Sequence, residues 1–177
     1  MTLRVFVGEP SRLTSAQRFL SDGWHLRLLE AGCCASAVRR EDYESDPWRG
    51  LRRRLHEADG ALILGFAQLA IHRGTWRPAT DEQVDVAAGW TSPWLQVEVG
   101  MAVALDLPVL VAVESVVAEG AFSPGVWAGN LYGTSLEAPG EHVLQEWFAA
   151  VAARHRSLVD GSPSVAPVTA RSSHADC

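Results

Sequence analysis

One acidic residue stands alone in an apolar segment. In Thr91-Ser92-Pro93-Trp94-Leu95-Gln96-Val97-Glu98-Val99-Gly100-Met101-Ala102-Val103-Ala104, only Glu98 carries a charge, about one and a half turns into a helix that Pro93 opens. A carboxylate there is costly unless it is paired, hydrogen-bonded or used. Near a helix N-terminus the macrodipole still favours an anion. Such a group can act as a nucleophile or as an electrostatic stabiliser of a developing positive centre. The 27 residues from Phe66 to Ser92 hold most of the other candidates. Arg73 and Arg77 present two-pronged donors that suit a phosphate, with solvated loop charge as the alternative. Asp81 and Asp85 offer acceptors for a ligand or are solvated carboxylates. Trp76, Trp90 and Trp94 offer an aromatic face or belong to the core. The Asn130 amide both donates and accepts, and an asparagine beside Gly129 equally fits a turn.

These residues need a scaffold, and the pattern around them supplies one. Leu3–Gly8 is a β-branched and aromatic run broken by Gly8-Glu9-Pro10, the mark of a buried strand entering a loop. From Ser15 the spacing turns helical, with Phe19, Leu20, Trp24, Leu28 and Leu29 recurring until Gly32. Cys33–Val38 reads as a second strand. Asp46 is placed to cap a helix with Pro47 at its first position, running through Trp48, Leu51 and Leu55 to Ala58. Ala61–Gly65 is a continuous apolar run of strand length, as expected in a parallel sheet covered on both faces. Residues 66–92 show no periodicity and read as a long functional loop. The Glu98 helix spans Pro93–Asp106, a fourth strand Pro108–Val113, and residues 114–135 read as a second irregular region. A last amphipathic helix, about Gly140–Arg156, carries Val143, Leu144, Trp147, Phe148 and Val151 on one side.

Strands alternating with helices at this spacing predict an α/β fold: a doubly wound, mostly parallel open sheet of about five strands with flanking helices. Ligands of such sheets bind at the carboxyl ends of the strands, where the loops after the first, third and fourth strands gather with the amino end of the Glu98 helix. At 177 residues and 47% hydrophobic, the chain fits one domain, residues 1–158, followed by a Ser-, Pro- and Ala-rich tail, residues 159–177, expected to be disordered. The net charge of −6 argues against a nucleic-acid partner, and Arg52-Arg53-Arg54, flanked by Asp46 and Glu57, reads as a solvated helix face. No apolar stretch approaches the roughly 20 residues that span a bilayer, and Met1–Val7 lacks a signal-peptide layout, so the expectation is a cytoplasmic protein without a membrane partner. Cys33, Cys34 and Cys177 have neither disulfide nor zinc spacing, and the first two read as buried apolar residues. No metal or cofactor is expected. No Gly-x-Gly-x-x-Gly or Gly-Lys-Ser/Thr element supports a dinucleotide oxidoreductase or an NTPase.

The segment Ser92-Pro93-Trp94 to Glu98-Val99-Gly100-Met101-Ala102-Val103-Ala104 resembles the one that carries the active-site glutamate in the nucleoside 2-deoxyribosyltransferase-like and TIR-like group of domains that cleave N-glycosidic bonds. Val5-Phe6-Val7-Gly8-Glu9-Pro10 is similar to that group's first strand and its Gly-x-Pro-like turn, and Ala58-Asp59 to its stretch before the third strand, where Asp59 is read as structural. Gly129-Asn130-Leu131-Tyr132 resembles a segment that some of these enzymes lend to a neighbouring subunit. The resemblance spans roughly residues 3–156. It implies a nucleoside or nucleotide N-glycosidase or ribosyltransferase, a homodimer or higher homo-oligomer, with Glu98 catalytic. It further implies substrate contacts from Phe6, Gly8, Glu9 and Pro10, from Arg73, Asp81 and Asp85, from Ser92 and Trp94, and from Asn130 and Tyr132. The Asp-x-Gly-Thr element that usually precedes the glutamate is replaced by Gly89-Trp90-Thr91-Ser92-Pro93-Trp94, closer to the Ser-x-Trp-x-x-x-Glu of TIR-like NAD hydrolases. A TIR-like NAD hydrolase and a non-catalytic nucleotide-sensing or interaction module therefore stand as alternatives.

Overall fold

The computed structural model describes residues 2–37 and 46–161. Five strands, β1 (Leu3–Gly8), β2 (Cys33–Ser36), β3 (Gly60–Gly65), β6 (Val109–Val113) and β7 (Leu131–Ser135), form one sheet in the order β2-β1-β3-β6-β7. Every pairing in it is parallel. Helices α1 (Ser15–Glu30) and α4 (Glu141–Val159) supply apolar residues to one face, where Trp24, Leu28, Leu144, Trp147 and Val151 meet Val5, Val7, Leu62, Leu64 and Leu110. Helices α2 (Pro47–His56) and α3 (Pro93–Ala104) cover the other, where Leu51, Leu55, Leu95, Val99 and Ala102 meet Phe6, Ala61, Ile63, Val109 and Val111. Both faces of β3 and β6 are thus buried, which is why these strands read as unbroken apolar runs. Because β1 sits between β2 and β3, the strand order reverses beside β1. A crevice opens there at the carboxyl ends of β1 and β3, the position where open α/β sheets bind ligands.

The α/β prediction agrees with this sheet, but two parts of the element reading do not. Residues 66–92 are not a structureless loop. They contain an antiparallel hairpin of β4 (Leu69–Trp76) and β5 (Val84–Trp90), separate from the main sheet. Most of its residues are exposed, so neither strand has the alternating buried face that makes a strand visible in a sequence. Residues 114–135 are likewise not wholly irregular. They hold two short 3-10 turns (Gly120–Phe122 and Pro124–Val126) and then β7, an edge strand in which only Thr134 is buried.

Smaller differences have similar causes. On α1, Trp24 and Leu28 are buried, but Phe19 and Leu29 face solvent because the sheet covers a single side of the helix. Cys33 is buried, and burial pushes its thiol pKa up; Cys34, its neighbour in the same strand, is exposed rather than buried, since successive strand residues point to opposite faces. Val38 and residues 162–177, with Cys177, lie outside the described residues, and so does most of the expected tail; α4 itself runs to Val159. Among the described residues, no helix is long and apolar enough to cross a membrane, and no group of His, Cys, Asp and Glu is arranged to hold a metal ion.

Candidate functional site

Helix α3 delivers the central group. Ser92 caps it, its side chain accepting a hydrogen bond from the Trp94 amide at 3.3 Å, and Pro93 occupies the first turn. One face of the helix, Leu95, Val99 and Ala102, packs into the core, and Glu98 falls among these buried positions. Side chains on a helix lean toward its N-terminus, so Glu98 is carried back toward the carboxyl edge of the sheet. There it lies against the end of β1. A Cβ added at Gly8 would collide with Glu98 Oε2 and come within 2.8 Å of Ile63 Cδ1, so the chain holds a glycine where strand and carboxyl group meet.

Glu98 is only 7% exposed, and among the described residues its Oε2 has no hydrogen-bond partner. Burial pushes its pKa up to about 8. At neutral pH it therefore holds its proton in most molecules. Folding alone would not select this arrangement, because an apolar residue would fill the space without the desolvation cost.

Three other groups gather on the same edge. Pro10 and Ser11, just beyond β1, and Gln68, Leu69 and Trp90, at the base of the hairpin, line a cleft of about 310 Å³ with Thr91, Ser92 and Pro93. Beside it, Glu114 follows β6 and bridges two segments: Oε2 accepts from the Ala67 amide at 2.8 Å and Oε1 from Gln17 Nε2 at 3.1 Å. Gln96, on α3, ties down the loop after β6 by donating to the Glu119 carbonyl at 3.0 Å and accepting from the Ala121 amide at 2.9 Å. That loop seats Phe122, wholly buried, against Gly65 at the end of β3.

The sequence matches no protein-family model and none of the curated proteins. The fold is similar to a solved one. The CMP N-glycosidase BcmB of Clostridium botulinum is a similar solved structure, with a TM-score of 0.49 and 13% sequence identity, over 81% of this chain and 97% of that one. The likeness is one of chain trace.

The residues singled out in the sequence divide clearly. Gly8, Pro10, Ser92, Trp94 and Glu98 come together at the carboxyl edge. Trp94 is 40% exposed one turn before Glu98, and its ring lies 5.1 Å from that of Trp48, the second residue of α2. Trp48 therefore belongs to the surroundings of the site, although the sequence shows it only as a helix residue. Phe6 is wholly buried in the core beneath the strand end. Glu9 turns to the opposite face, where Ser21 Oγ donates to it at 2.5 Å and His25 Nε2 lies 3.6 Å away. Burial alone would raise the Glu9 pKa, but the hydrogen bonds from His25 and Ser21 and the charges of His25 and Arg18 outweigh it and bring the pKa below the ordinary value.

The other candidates are more widely placed. Arg73 and Asp85 are exposed on the hairpin, and Asp81 is exposed in its turn. Trp90 lines the cleft at the base of the hairpin, and Trp76 packs on it with ring centres 6.0 Å apart. Asn130 and Tyr132 sit in the first half of the β7 ladder, the Asn130 carbonyl accepting from the Val109 amide at 2.8 Å, so within the chain they are at the amino edge, away from Glu98. Asp59 is structural, as expected. It accepts from the Arg4 amide at 2.7 Å and contacts His155 Nδ1 at 2.9 Å, also at the amino edge. Thr91, Gln96 and Glu114 were not legible as site residues, because a polar residue flanking a buried element is ordinary in any sequence. For Glu114 alone there is a positional signal, since it directly follows a buried strand at its carboxyl end.

Proposed function

We propose that this protein cleaves the N-glycosidic bond of a nucleoside or nucleotide, with Glu98 acting at the anomeric carbon. The observation that carries the reading is the Glu98 carboxyl group, buried with one oxygen unpartnered, at the carboxyl edge beside the strand-order reversal. Breaking the bond between C1′ and the base nitrogen sends its electron pair to the leaving base and builds oxocarbenium character at C1′. A carboxylate beside C1′ stabilises that charge or captures it as a glycosyl ester. Water then completes hydrolysis, or a second base completes transfer. The segment around Glu98, similar to the glutamate segment of the deoxyribosyltransferase-like and TIR-like domains, supports the same assignment. Trp94, one turn before Glu98, is at the right remove to face the base.

Chromatography of free base released from nucleosides, 2′-deoxynucleosides, their 5′-monophosphates and NAD tests the proposal, with Glu98→Gln run alongside. The expected result is release of a base by the wild-type protein, reduced at least 100-fold in the variant, on the order of what one charge-stabilising group contributes to a transition state. Release from NAD alone would move the assignment to a TIR-like hydrolase. Release that survives in Glu98→Gln would refute the role of Glu98, and ligand binding with no release of any base would indicate a sensor.

A further inference from the structure

Two neighbouring residues of one turn reach opposite sides of the sheet. Successive strand residues point to opposite faces, so Gly8, at the end of β1, lies against the Glu98 carboxyl group on the α3 side, and Glu9 turns to α1 on the other. Ser21 Oγ donates to Glu9 Oε2 at 2.5 Å, and His25 Nε2 lies 3.6 Å from Glu9 Oε1. Ser21 and His25 stand four residues apart on one face of α1, and each faces one oxygen of Glu9. A hydroxyl-to-carboxylate bond of this length is among the strong ones. Arg18 and Asp22, also on α1, add their charges to Glu9 and His25 respectively.

The packing of α1 does not need this cluster. Trp24 and Leu28 already hold the helix to the sheet through apolar contacts, whereas Ser21 is 4% exposed and burial opposes the charge of Glu9 more than any other single influence acts on it. What the cluster adds is a fixed position for the turn. The ring of Pro10 fixes its own φ, so a pinned Glu9 also sets the course of the chain into Pro10 and Ser11, which line the cleft. Glu98 is not among the residues lining that cleft. One end of the turn thus rests on the Glu98 carboxyl group while the other forms part of the cleft wall. The Glu98 pKa is raised by burial alone, with no charged group among the described residues contributing. Because Gly8 lies against Oε2, a turn free to move would admit water to that oxygen.

We propose that Glu9, Ser21 and His25 are positioning residues: they pin the turn after β1 to α1, hold Gly8 over the Glu98 carboxyl group and keep water from it. Their bearing on catalysis rests on the assignment of Glu98 to the anomeric carbon, but the test needs no substrate.

Carbon-13 NMR of the glutamate side-chain carboxyl groups in ligand-free protein follows the titration of Glu98, the resonance missing from Glu98→Gln giving the assignment. Wild type is compared with Ser21→Ala, His25→Ala, the double variant, and Asp59→Ala, which loosens the amino edge away from the turn. The expected midpoint is about 8 in wild type, lower in each single variant, and lower by about one unit or more in the double variant, a fraction of the shift that full burial can impose. Ser21→Ala and His25→Ala keep the negative charge of Glu9, and removing a positive His25 favours a protonated Glu98, so a fall in the midpoint reports water and not charge. Asp59→Ala should leave the midpoint where it was. A midpoint that stays or rises in the folded single variants would overturn the proposal, as would an equal fall in Asp59→Ala, which would mean general loosening. Base release is read separately. A lowered midpoint in a protein that releases no base would leave the positioning role standing and remove the glycosidase reading, whereas release abolished in Glu98→Gln with an unmoved midpoint would do the reverse.

Discussion

Glu98 meets two opposing demands: burial keeps its proton on, and chemistry at an anomeric carbon needs the proton off. With a pKa of about 8, roughly a tenth of the free protein carries the carboxylate at pH 7. A substrate developing positive charge beside it favours the ionised form and pulls that pKa down. The pH dependence should therefore split. kcat/KM, which reports the free protein, is expected to rise with pH and level off above about 8, while kcat reaches its plateau at a lower pH. Initial rates across pH 5.5 to 9 on the substrate found by base release check this. A kcat/KM that instead declines through the same range would mean that the protonated carboxyl is the working form, donating to the leaving base. The legibility of Glu98 has the same physical origin as its chemistry, because a lone acid in an apolar helix stands out. Thr91 has no such contrast: threonine is unremarkable before a helix cap, and only the absence of a hydrogen-bond partner in three dimensions distinguishes it.

At the scale of elements, α3 both carries Glu98 and secures what surrounds it. Gln96 makes two hydrogen bonds to the backbone of residues 119–121, and that loop holds Phe122 over Gly65. Gln96→Ala would leave a half-buried amide and a carbonyl without these partners, and should lower stability by about 1–3 kcal/mol. Guanidinium unfolding measures the change, and faster hydrogen exchange at Ala121 would localise it. An unchanged midpoint and unchanged exchange would show that the loop is held by Phe122 alone. The same elements show which parts of a fold a sequence reveals. β1, β3 and β6 are legible because both of their faces are buried and their residues are correspondingly apolar. The hairpin and β7 are held chiefly by pairing to a neighbouring strand, and backbone hydrogen bonds leave little trace in side-chain pattern. Leu69 and Trp90 at the hairpin's base line the cleft, while Arg73, Asp81 and Asp85 stand exposed farther along the ribbon.

For the molecule as a whole, the buried carboxyl couples stability to pH. The native pKa of Glu98 lies above that of an unfolded glutamate, so between about pH 4.5 and 8 the folded chain holds a proton that the unfolded chain releases. The associated stabilisation is fully present below about pH 4.5 and is lost as pH rises through 8, on the order of 5 kcal/mol in all at about 1.4 kcal/mol per pH unit. The Glu9 and His25 contact adds a different dependence. Its lowered carboxyl pKa gives stability that is lost in acid, as pH falls through the folded Glu9 value. Its raised imidazole pKa, set first by the hydrogen bond to Glu9, gives stability that is lost as pH rises through the folded His25 value. Comparing wild type with Glu98→Gln isolates the first contribution, because both proteins keep the second. Urea unfolding at pH 5, 6.5 and 8 should find the two proteins similar at pH 5 and the variant progressively the more stable toward pH 8, where the wild type bears an unpaired buried charge. Parallel curves across that range would mean that water or a shift of α3 relieves the carboxylate in the native state. The cost attributed to Glu98, and with it the argument that this position is kept for chemistry rather than for folding, would then fall.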